Sequence, residues 1–329
     1  MRTKETTPQT NAFQSKLEEC AMITLRDCLD LKGQERLTVV ADESSATMLP
    51  HILFDTARKL GGKATMLRVI RPNVIIDDSP VLQYLEQSEI VIAITGELFP
   101  ILVREKILDH NGRVVLMHTV TDELALRTIP VDYGLILNRL DTMSKTLAKS
   151  TELTLTSKNG TDLRFSCQDR PLFKFDGVCR NAGEYDSLPA GSIYSSPIEE
   201  TANGVVVIDT AGYLSGPIGT PFKLRISGGV VVDVSGGDEA LRVKRLIDEG
   251  GENSQNLAEV GVGVHPTAKT GSSPIESERA EGSVTIGLGR NTQLGGKVHS
   301  RVHLDIGVLS NVTLEADHET VIEAGTMAV

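Results

Sequence analysis

The segment from His299 to Asp305 carries the most compact group of potential metal ligands in the sequence. It reads His-Ser-Arg-Val-His-Leu-Asp. In an extended strand, residues two apart point to the same face, so His303 and Asp305 are expected to lie roughly 7 Å apart on one side. One metal ion can bridge that span, and an imidazole with a carboxylate suits zinc, iron or manganese. The alternative is that an exposed strand face happens to be polar.

The second half of the chain must position this segment, and its pattern is that of a β-rich domain. From residue 151 onward, short runs of Val, Ile, Leu and Thr are separated by Gly, Asn and Asp turns, which predicts short strands. The charged segment 238–249 predicts a helix, and further strands are expected around Glu259, Thr285 and His303. We therefore predict that residues 151–329 form a β-rich α+β domain with the metal site.

The first half of the chain has the pattern of an α/β domain. Between residues 36 and 117, apolar runs rich in Val and Ile alternate with helical segments. Such alternation predicts a parallel sheet with helices on both faces. Residues 13–31 have helical periodicity, and the polar first dozen residues are expected to be frayed. The predicted fold class is thus α/β, with an N-terminal α/β sandwich domain over 1–150.

The composition excludes several classes of protein. The chain has 329 residues, a net charge of -11, 40% hydrophobic and 23% charged residues, which indicates a globular protein and disfavours nucleic acid or an anionic membrane as a partner. The sequence contains neither an apolar run of roughly 18 residues nor an apolar leader at its start, so a cytoplasmic protein is expected. The four cysteines are scattered, which predicts reduced thiols.

The second half also resembles a known superfamily. The resemblance is carried by the segments 188–192 (LPAGS), 197–204 (PIEETANG), 256–263 (NLAEVGVG), 282–291 (GSVTIGLGRN) and 303–305 (HLD). In these segments the chain is similar to the superfamily of aminopeptidase T metallo-aminopeptidases and 2,5-dihydroxypyridine 5,6-dioxygenases. The resemblance also implies a homo-oligomer, and the predicted α/β first half is compatible with it.

The aminopeptidase branch implies a centre with two metal ions. Its pattern has a Glu after Leu-Pro-x-Gly, a second Glu, a His, and a His-x-Asp pair. The chain matches this pattern at Glu259, His303 and Asp305, but it has Ser192 in place of the first Glu and Thr285 in place of the middle His. Hydroxyls bind divalent metals weakly, and a two-metal hydrolase depends on paired ions. The resemblance therefore favours one ion.

The dioxygenase branch differs from the aminopeptidase pattern at the same two positions as this chain, since it also has no carboxylate or imidazole at the positions of Ser192 and Thr285. It holds one Fe(II) with the His-x-Asp pair and a third ligand, which is a His where this chain has Glu259. Open positions on the iron admit a bidentate substrate and dioxygen. The predicted metal ligands are accordingly Glu259, His303 and Asp305.

Three further residues are candidates for catalysis or substrate contact. Ser187 aligns with the histidine base of the dioxygenase branch. Glu200, or its neighbour Glu199, is a conceivable base for a hydrolase, and His299 could orient a ligand or contact substrate. For Ser187 and Glu200 the favoured alternative is a solvated turn residue. His265 shares the strand parity of Glu259, but it is six residues on and is followed by Pro266, which disfavours it as a ligand to the same ion.

The leading hypothesis is a mononuclear metal-dependent enzyme that opens or oxidises a small hydroxylated N-heterocycle or related aromatic. Its expected cofactor is a divalent metal, with Fe(II) favoured and Zn, Mn or Co as alternatives. The second hypothesis is a metal-dependent hydrolase of the aminopeptidase T type. The third is a metal-free binding or accessory protein that reuses the fold. A small molecule is the expected partner in each case.

Overall fold

The computed structural model of this chain describes residues 8–44, 48–75, 79–212 and 216–328. Within these ranges the α-helices are α1 (Pro8–Met22), α2 (Leu49–Lys59), α3 (Pro80–Glu86), α4 (Ile101–Asp109), α5 (Asp122–Thr128), α6 (Tyr133–Lys149), α7 (Asp238–Gly250) and α8 (Pro274–Arg279). A π-helical turn, Ile23–Cys28, continues α1. Single 3-10 turns occur at Pro72–Val74 and Thr292–Leu294.

The strands of the described residues are β1 (Arg36–Ala41), β2 (Lys63–Arg68), β3 (Ile90–Thr95), β4 (Arg113–His118), β5 (Leu153–Ser157), β6 (Asp162–Phe165), β7 (Phe173–Phe175), β8 (Tyr185–Ser187), β9 (Ser192–Ser195), β10 (Asn203–Ile208), β11 (Ala211–Gly212), β12 (Gly216–Pro217), β13 (Phe222–Ser227), β14 (Val230–Ser235), β15 (Leu257–Gly263), β16 (Val284–Gly289), β17 (His303–Leu309), β18 (Val312–Ala316), β19 (Glu319–Glu323) and β20 (Thr326–Met327). They form a first sheet in the order β2-β1-β3-β4-β8, a second in the order β14-β13-β10-β6-β5-β18-β19-β20, and a third in the order β12-β11-β17-β16-β15-β9-β7.

The first sheet is parallel, and its central strands are buried. All residues of β3 are buried, as are all but the first residue of β1. β3 is a near-continuous run of β-branched residues and β1 contains three of them in a row, which is the composition expected of strands covered on both faces. The parallel pairs β1–β2, β1–β3, β3–β4 and β4–β8 confirm the α/β fold class that the sequence predicts.

The second and third sheets are antiparallel throughout. In the third sheet, β15 and β16 are wholly buried, and both are rich in glycine. A Cβ on Gly261 would lie 2.3 Å from the ring of Tyr194 on the neighbouring β9. Glycine is required there because the aromatic ring crosses the strand where a side chain would otherwise stand.

The chain divides into two compact units. The first comprises Met1–Val131 and Asp176–Ala190, and the second comprises Asp132–Phe175 and Gly191–Val329. Helix α6 belongs to the second unit, where Arg139 donates to the Val264 carbonyl at 2.8 Å and pairs with Glu281 at 2.9 Å. The domain boundary between residues 150 and 151 remains our proposal from the sequence. The compact units differ from it in two segments: residues 132–150 belong to the second unit, and residues 176–190 belong to the first.

Two helices of the structure lie where the sequence predicts them. The helix expected over 13–31 corresponds to α1 and its π-helical continuation, and the helix expected over 238–249 corresponds to α7. Residues 1–7 of the expected frayed start lie outside the described residues, whereas its remainder begins α1. Among the described residues, no helix is both long enough and apolar enough to cross a membrane.

Helix α2 depends on a carboxylate from elsewhere in its unit. Asp122 is buried, and its side chain accepts from the backbone N–H groups of Met48 at 3.0 Å and Leu49 at 2.9 Å. Met48 at the N-cap makes no side-chain capping bond. Asp122 therefore satisfies donors that the first turn of a helix leaves open, and its charge is favourably placed at the helix N-terminus.

We expect Asp122→Ala to lower the free energy of unfolding by about 2 kcal/mol, because buried N–H donors lose their acceptor. Urea denaturation followed by circular dichroism measures this change. Glu123→Ala is the matched control, since Glu123 is exposed on the same helix and should change stability little. Equal unfolding midpoints for the two variants would contradict the assigned role.

Candidate metal centre

Three neighbouring strands of the third sheet bring the predicted ligands together. Glu259 on β15 lies opposite Gly287 on β16, and Gly287 lies opposite Asp305 on β17. His303 is opposite Gly289, two residues along the same strand. Residues directly opposite share a face of the sheet, so all three ligating side chains emerge on one side. Register shifts occur next to Glu259 and Gly287, and such bulges re-aim side chains near functional sites.

The three side chains converge on one point. His303 Nε2 lies 3.3 Å from Glu259 Oε2 and 3.6 Å from Asp305 Oδ1. One ligand atom from each residue lies within 4.8 Å of the others. Glu259 is buried, whereas His303 and Asp305 are partly exposed. This arrangement has the donor types and the spacing of a three-ligand metal site with an open side.

The imidazole of His303 is oriented by groups on the loop before β17. Its Nδ1 lies 2.8 Å from the carbonyl oxygen of Arg290, which also accepts from the side-chain amide of Gln293 at 3.2 Å. A proton on Nδ1 donates to that carbonyl, which directs Nε2 toward the two carboxylates. Metal-binding histidines commonly have their second nitrogen fixed in this way.

Glycine at position 287 keeps the space between the ligands open. A Cβ there would lie 3.0 Å from Glu259 Cβ, 3.6 Å from Asp305 Oδ1 and 3.7 Å from His303 Cε1. A methyl group there would touch Asp305 and His303 at ordinary contact distances and would press on Glu259, whose Cβ would have to shift by a few tenths of an ångström. The cleft between the three donors is a feature of the sequence, because only glycine leaves it free.

The electrostatics of the cluster favour a bound cation. Burial alone would lower the pKa of His303, but the hydrogen bond and negative charge of Glu259 outweigh it and raise the pKa to about 9. Burial and the charge of Glu259 also raise the pKa of Asp305. Two carboxylates thus compete for one imidazolium, and a divalent ion would stabilise both of them. The residues fit a metal ion on this ground as well as on geometry.

A second group of polar side chains lies on the same face of the third sheet. Tyr194 is opposite Gly261, and Ser192 is opposite Gly263. The Arg279 guanidinium donates to the hydroxyls of both, at 2.7 Å for Tyr194, and pairs with Glu278 at 3.2 Å. We name Ser192, Tyr194, Glu278 and Arg279 the arginine cluster.

Thr285 lies between the arginine cluster and the ligands. It is opposite Gly261, and its Oγ1 is buried without a hydrogen-bond partner among the described residues. An unsatisfied buried hydroxyl costs free energy. It is therefore a polar group available to a bound water or ligand on this face.

The predicted catalytic residues are not part of the group of ligands. Ser187 is a buried residue of β8 in the first unit, while the ligands belong to the second. Glu200 is exposed in the loop before β10 with a φ of 68°, and His299 is exposed in the loop before β17. The roles of these three residues remain predictions.

Glu199, the alternative base, stabilises the loop that precedes β17. It accepts from the Lys297 N–H at 2.7 Å and the Asn291 side chain at 3.1 Å, and it pairs with Arg170. Burial opposes ionisation, but these donors outweigh it and lower the pKa of Glu199 to about 2. The carboxylate therefore fixes the loop that leads to His303 and is a poor proton acceptor.

His265 is likewise a structural residue. It is fully buried beyond the end of β15, and its Nδ1 accepts from the backbone N–H groups of Thr267 at 3.2 Å and Ala268 at 3.1 Å. Gly287, Tyr194, Glu278 and Arg279 are not among the site residues predicted from the sequence. The signal for Gly287 was its even spacing from Gly289 on a strand opposite a carboxylate, whereas no local pattern marks Arg279.

Comparisons with known proteins give the family of this chain. The model of the 2,5-dihydroxypyridine 5,6-dioxygenase family matches residues 11–329. The chain belongs to this family. It is 26% identical over 241 residues to a 2,5-dihydroxypyridine 5,6-dioxygenase of Pseudomonas putida, a match that spans 68% of this chain and 66% of that relative. The chain is therefore an enzyme, and the hypothesis of a metal-free binding protein is set aside.

Two solved structures share the fold. A 2,5-dihydroxypyridine dioxygenase from Pseudomonas putida superposes with a TM-score of 0.79 at 19% identity, over 96% of this chain and 98% of the other. Wild-type AmpT from Thermus thermophilus superposes with a TM-score of 0.67 at 16% identity, over 96% and 100%. Both similarities concern the fold, and the family match over residues 11–329 confirms the superfamily that the sequence motifs indicate.

We expect metal binding near pH 7 to release at least one proton, because the imidazole of His303 must lose its proton to become a ligand and the raised pKa of Asp305 leaves part of that carboxyl protonated. The raised pKa of His303 stabilises the metal-free chain fully below 6.5, and this stabilisation is lost as the pH rises through about 9. Metal affinity should consequently increase with pH. Calorimetric titration with Zn²⁺ in buffers of different ionisation enthalpy measures the release. Identical release near pH 7 and above about pH 9 would contradict this linkage.

We expect Gly287→Ala to weaken metal binding by about tenfold, since the added methyl would lie 3.0 Å from Glu259 Cβ and shift that ligand from the common point. Competition with a chromophoric chelator measures the affinity. Gly219→Ala is the control, because a Cβ on Gly219 has no atom within 4 Å. If both variants bind metal as the unaltered chain does, the cleft at Gly287 is not the metal site.

Proposed function

We propose that this chain is a mononuclear, metal-dependent dioxygenase that acts on a small hydroxylated N-heterocycle of the dihydroxypyridine class. Its metal ligands are Glu259, His303 and Asp305, and its favoured ion is Fe(II). The observation that carries the proposal is the convergence of these three donors within 4.8 Å around the open space at Gly287. Membership of the dioxygenase family supports the substrate class.

The surroundings of the ligands support one ion rather than two. The nearby positions 192 and 285 carry hydroxyls, which are weak ligands for a divalent ion. Ser192 is further engaged by the Arg279 guanidinium, which donates to its hydroxyl oxygen and leaves that oxygen less able to bind a second cation. A two-metal hydrolase needs paired ions to bind and activate its water, so the hydroxyls at positions 192 and 285 disfavour a two-metal hydrolase.

The residues of the chain would serve this chemistry by orientation and exclusion of water. When bound, the divalent ion supplies open positions where a chelating hydroxylated ring and dioxygen can meet. The Arg290 carbonyl holds the Nδ1 proton of His303, so that Nε2 remains a ligand. Burial of Glu259 and the absence of a side chain at Gly287 keep one side of the centre dry and open for the ring.

Substrate contacts would come from side chains beyond the ligands. Thr285 offers a buried, unsatisfied hydroxyl on the ligand face. Ser187, Glu200 and His299 remain our candidates for proton transfer or substrate contact. A cytoplasmic location and a homo-oligomeric state also remain predictions from the sequence.

The test is oxygen consumption by protein purified without air and loaded with Fe(II). We expect uptake with 2,5-dihydroxypyridine, and we expect His303→Ala and Asp305→Ala to lower the rate by at least about 100-fold, because each removes a ligand. Glu319→Ala, an exposed acid on β19, should retain full activity. Absence of uptake with iron-loaded protein for any dihydroxypyridine isomer would refute the proposal.

A metal-dependent hydrolase is the second candidate, and the ligand set with two carboxylates is the observation that favours it. Zinc hydrolases also combine carboxylate and histidine ligands. Release of amino acids from di- and tripeptides by Zn- or Co-loaded protein, without oxygen uptake by the iron-loaded protein, would select this candidate over the dioxygenase.

A further inference from the structure

The charged groups around the ligands form a small set. Glu259, His303, Glu278 and Arg279 act electrostatically on the Asp305 carboxyl. The first two share the proposed metal with Asp305, whereas Glu278 and Arg279 belong to the arginine cluster. The net charge of the centre therefore depends on how these groups compensate one another.

Glu278 and Arg279 compensate each other. Their side chains are 8% and 4% exposed and form an ion pair at 3.2 Å. The guanidinium carbon of Arg279 lies 5.2 Å from the ring centre of Phe175 and 5.8 Å from that of Tyr194. These rings restrict water at the pair, so each charge depends on its partner. Together they contribute no net charge to the ligand face.

The ligands have a charge that one divalent ion cancels. Glu259 and Asp305 each contribute one negative charge, and a ligating His303 is neutral. The common iron site of non-haem oxygenases has two histidines and one carboxylate, which leaves one positive charge with a divalent ion. Glu259 removes that remaining charge in this chain.

We propose that Glu259 and the ion pair Glu278–Arg279 make the loaded centre electrically neutral, so that it selects neutral chelating ligands over anionic ones. This inference rests on the proposed function, because it requires a divalent ion at Glu259, His303 and Asp305. It narrows the substrate class to hydroxylated heterocycles that arrive uncharged.

The physical reason is the cost of moving an anion out of water. An anion that enters a site with little water loses its hydration and must regain that free energy from a net positive charge. A neutral centre offers no such compensation, whereas a neutral ring loses little. A change of one unit in the charge of the centre should therefore alter the affinity for anions much more than the affinity for neutral ligands.

The test uses Co²⁺-loaded full-length protein, whose visible absorption reports ligands that bind to the ion. Azide is the anionic probe and imidazole the neutral one. Glu278→Gln leaves Arg279 uncompensated and should raise the azide affinity by about tenfold, and Arg279→Met should lower it by about tenfold. Imidazole affinity should change by less than about threefold in both variants, because imidazole carries no charge.

Glu259→His provides a second, independent variant. It exchanges one negative ligand for a neutral one and should raise the azide affinity by at least about tenfold. Circular dichroism and the cobalt content of each variant establish that it is folded and binds one ion. Azide affinities that agree within about twofold among the cobalt-loaded variants would overturn this inference alone. Failure of the unaltered chain to bind one equivalent of cobalt would overturn the proposed function as well.

Discussion

Two carboxylates, those of Glu259 and Asp305, face each other across a single glycine of β16 on a partly buried sheet face. Like charges at such a separation repel by several kcal/mol at the effective dielectric constant of a partly buried site, on the order of 4 kcal/mol. A cation must offset this repulsion. His303 provides it in the metal-free chain, and its position between the two oxygens makes it the residue on which the geometry of the centre depends.

The rest of the third sheet accommodates this arrangement through small residues. Gly287 leaves the space between the ligands free, and Gly261 allows the Tyr194 ring to cross β15. That ring and Phe175 in turn surround the Arg279 guanidinium. The side chains of Phe175, Tyr194 and Arg279 therefore fill the space on this polar face, whereas Gly261 and Gly287 contribute no side chains to it. This is the close packing expected of an interior, here applied to charged groups.

The sequence predicts those parts of the structure that local periodicity determines. Strand parity placed His303 and Asp305 on one face, and alternation of strand and helix predicted the parallel sheet. The approach of Glu259 depends on the register between strands distant in the sequence, including two bulges, and only the family motifs indicated it. Arg279 reaches the site from the end of α8, so its place follows from a loop path that no local pattern specifies.

In the proposed metal centre, the ion would take the place of the proton that His303 holds in the metal-free chain. Without metal, the raised pKa of His303 keeps a proton between Glu259 and Asp305, and that proton occupies the position where the ion would bind. The Arg290 carbonyl fixes the ring from its other side. Under the proposed function the ion would replace this proton among donors that already lie within 4.8 Å of one another, which keeps the ordering cost low. A rigid sheet that holds its ligands together through a proton is preorganised for the metal.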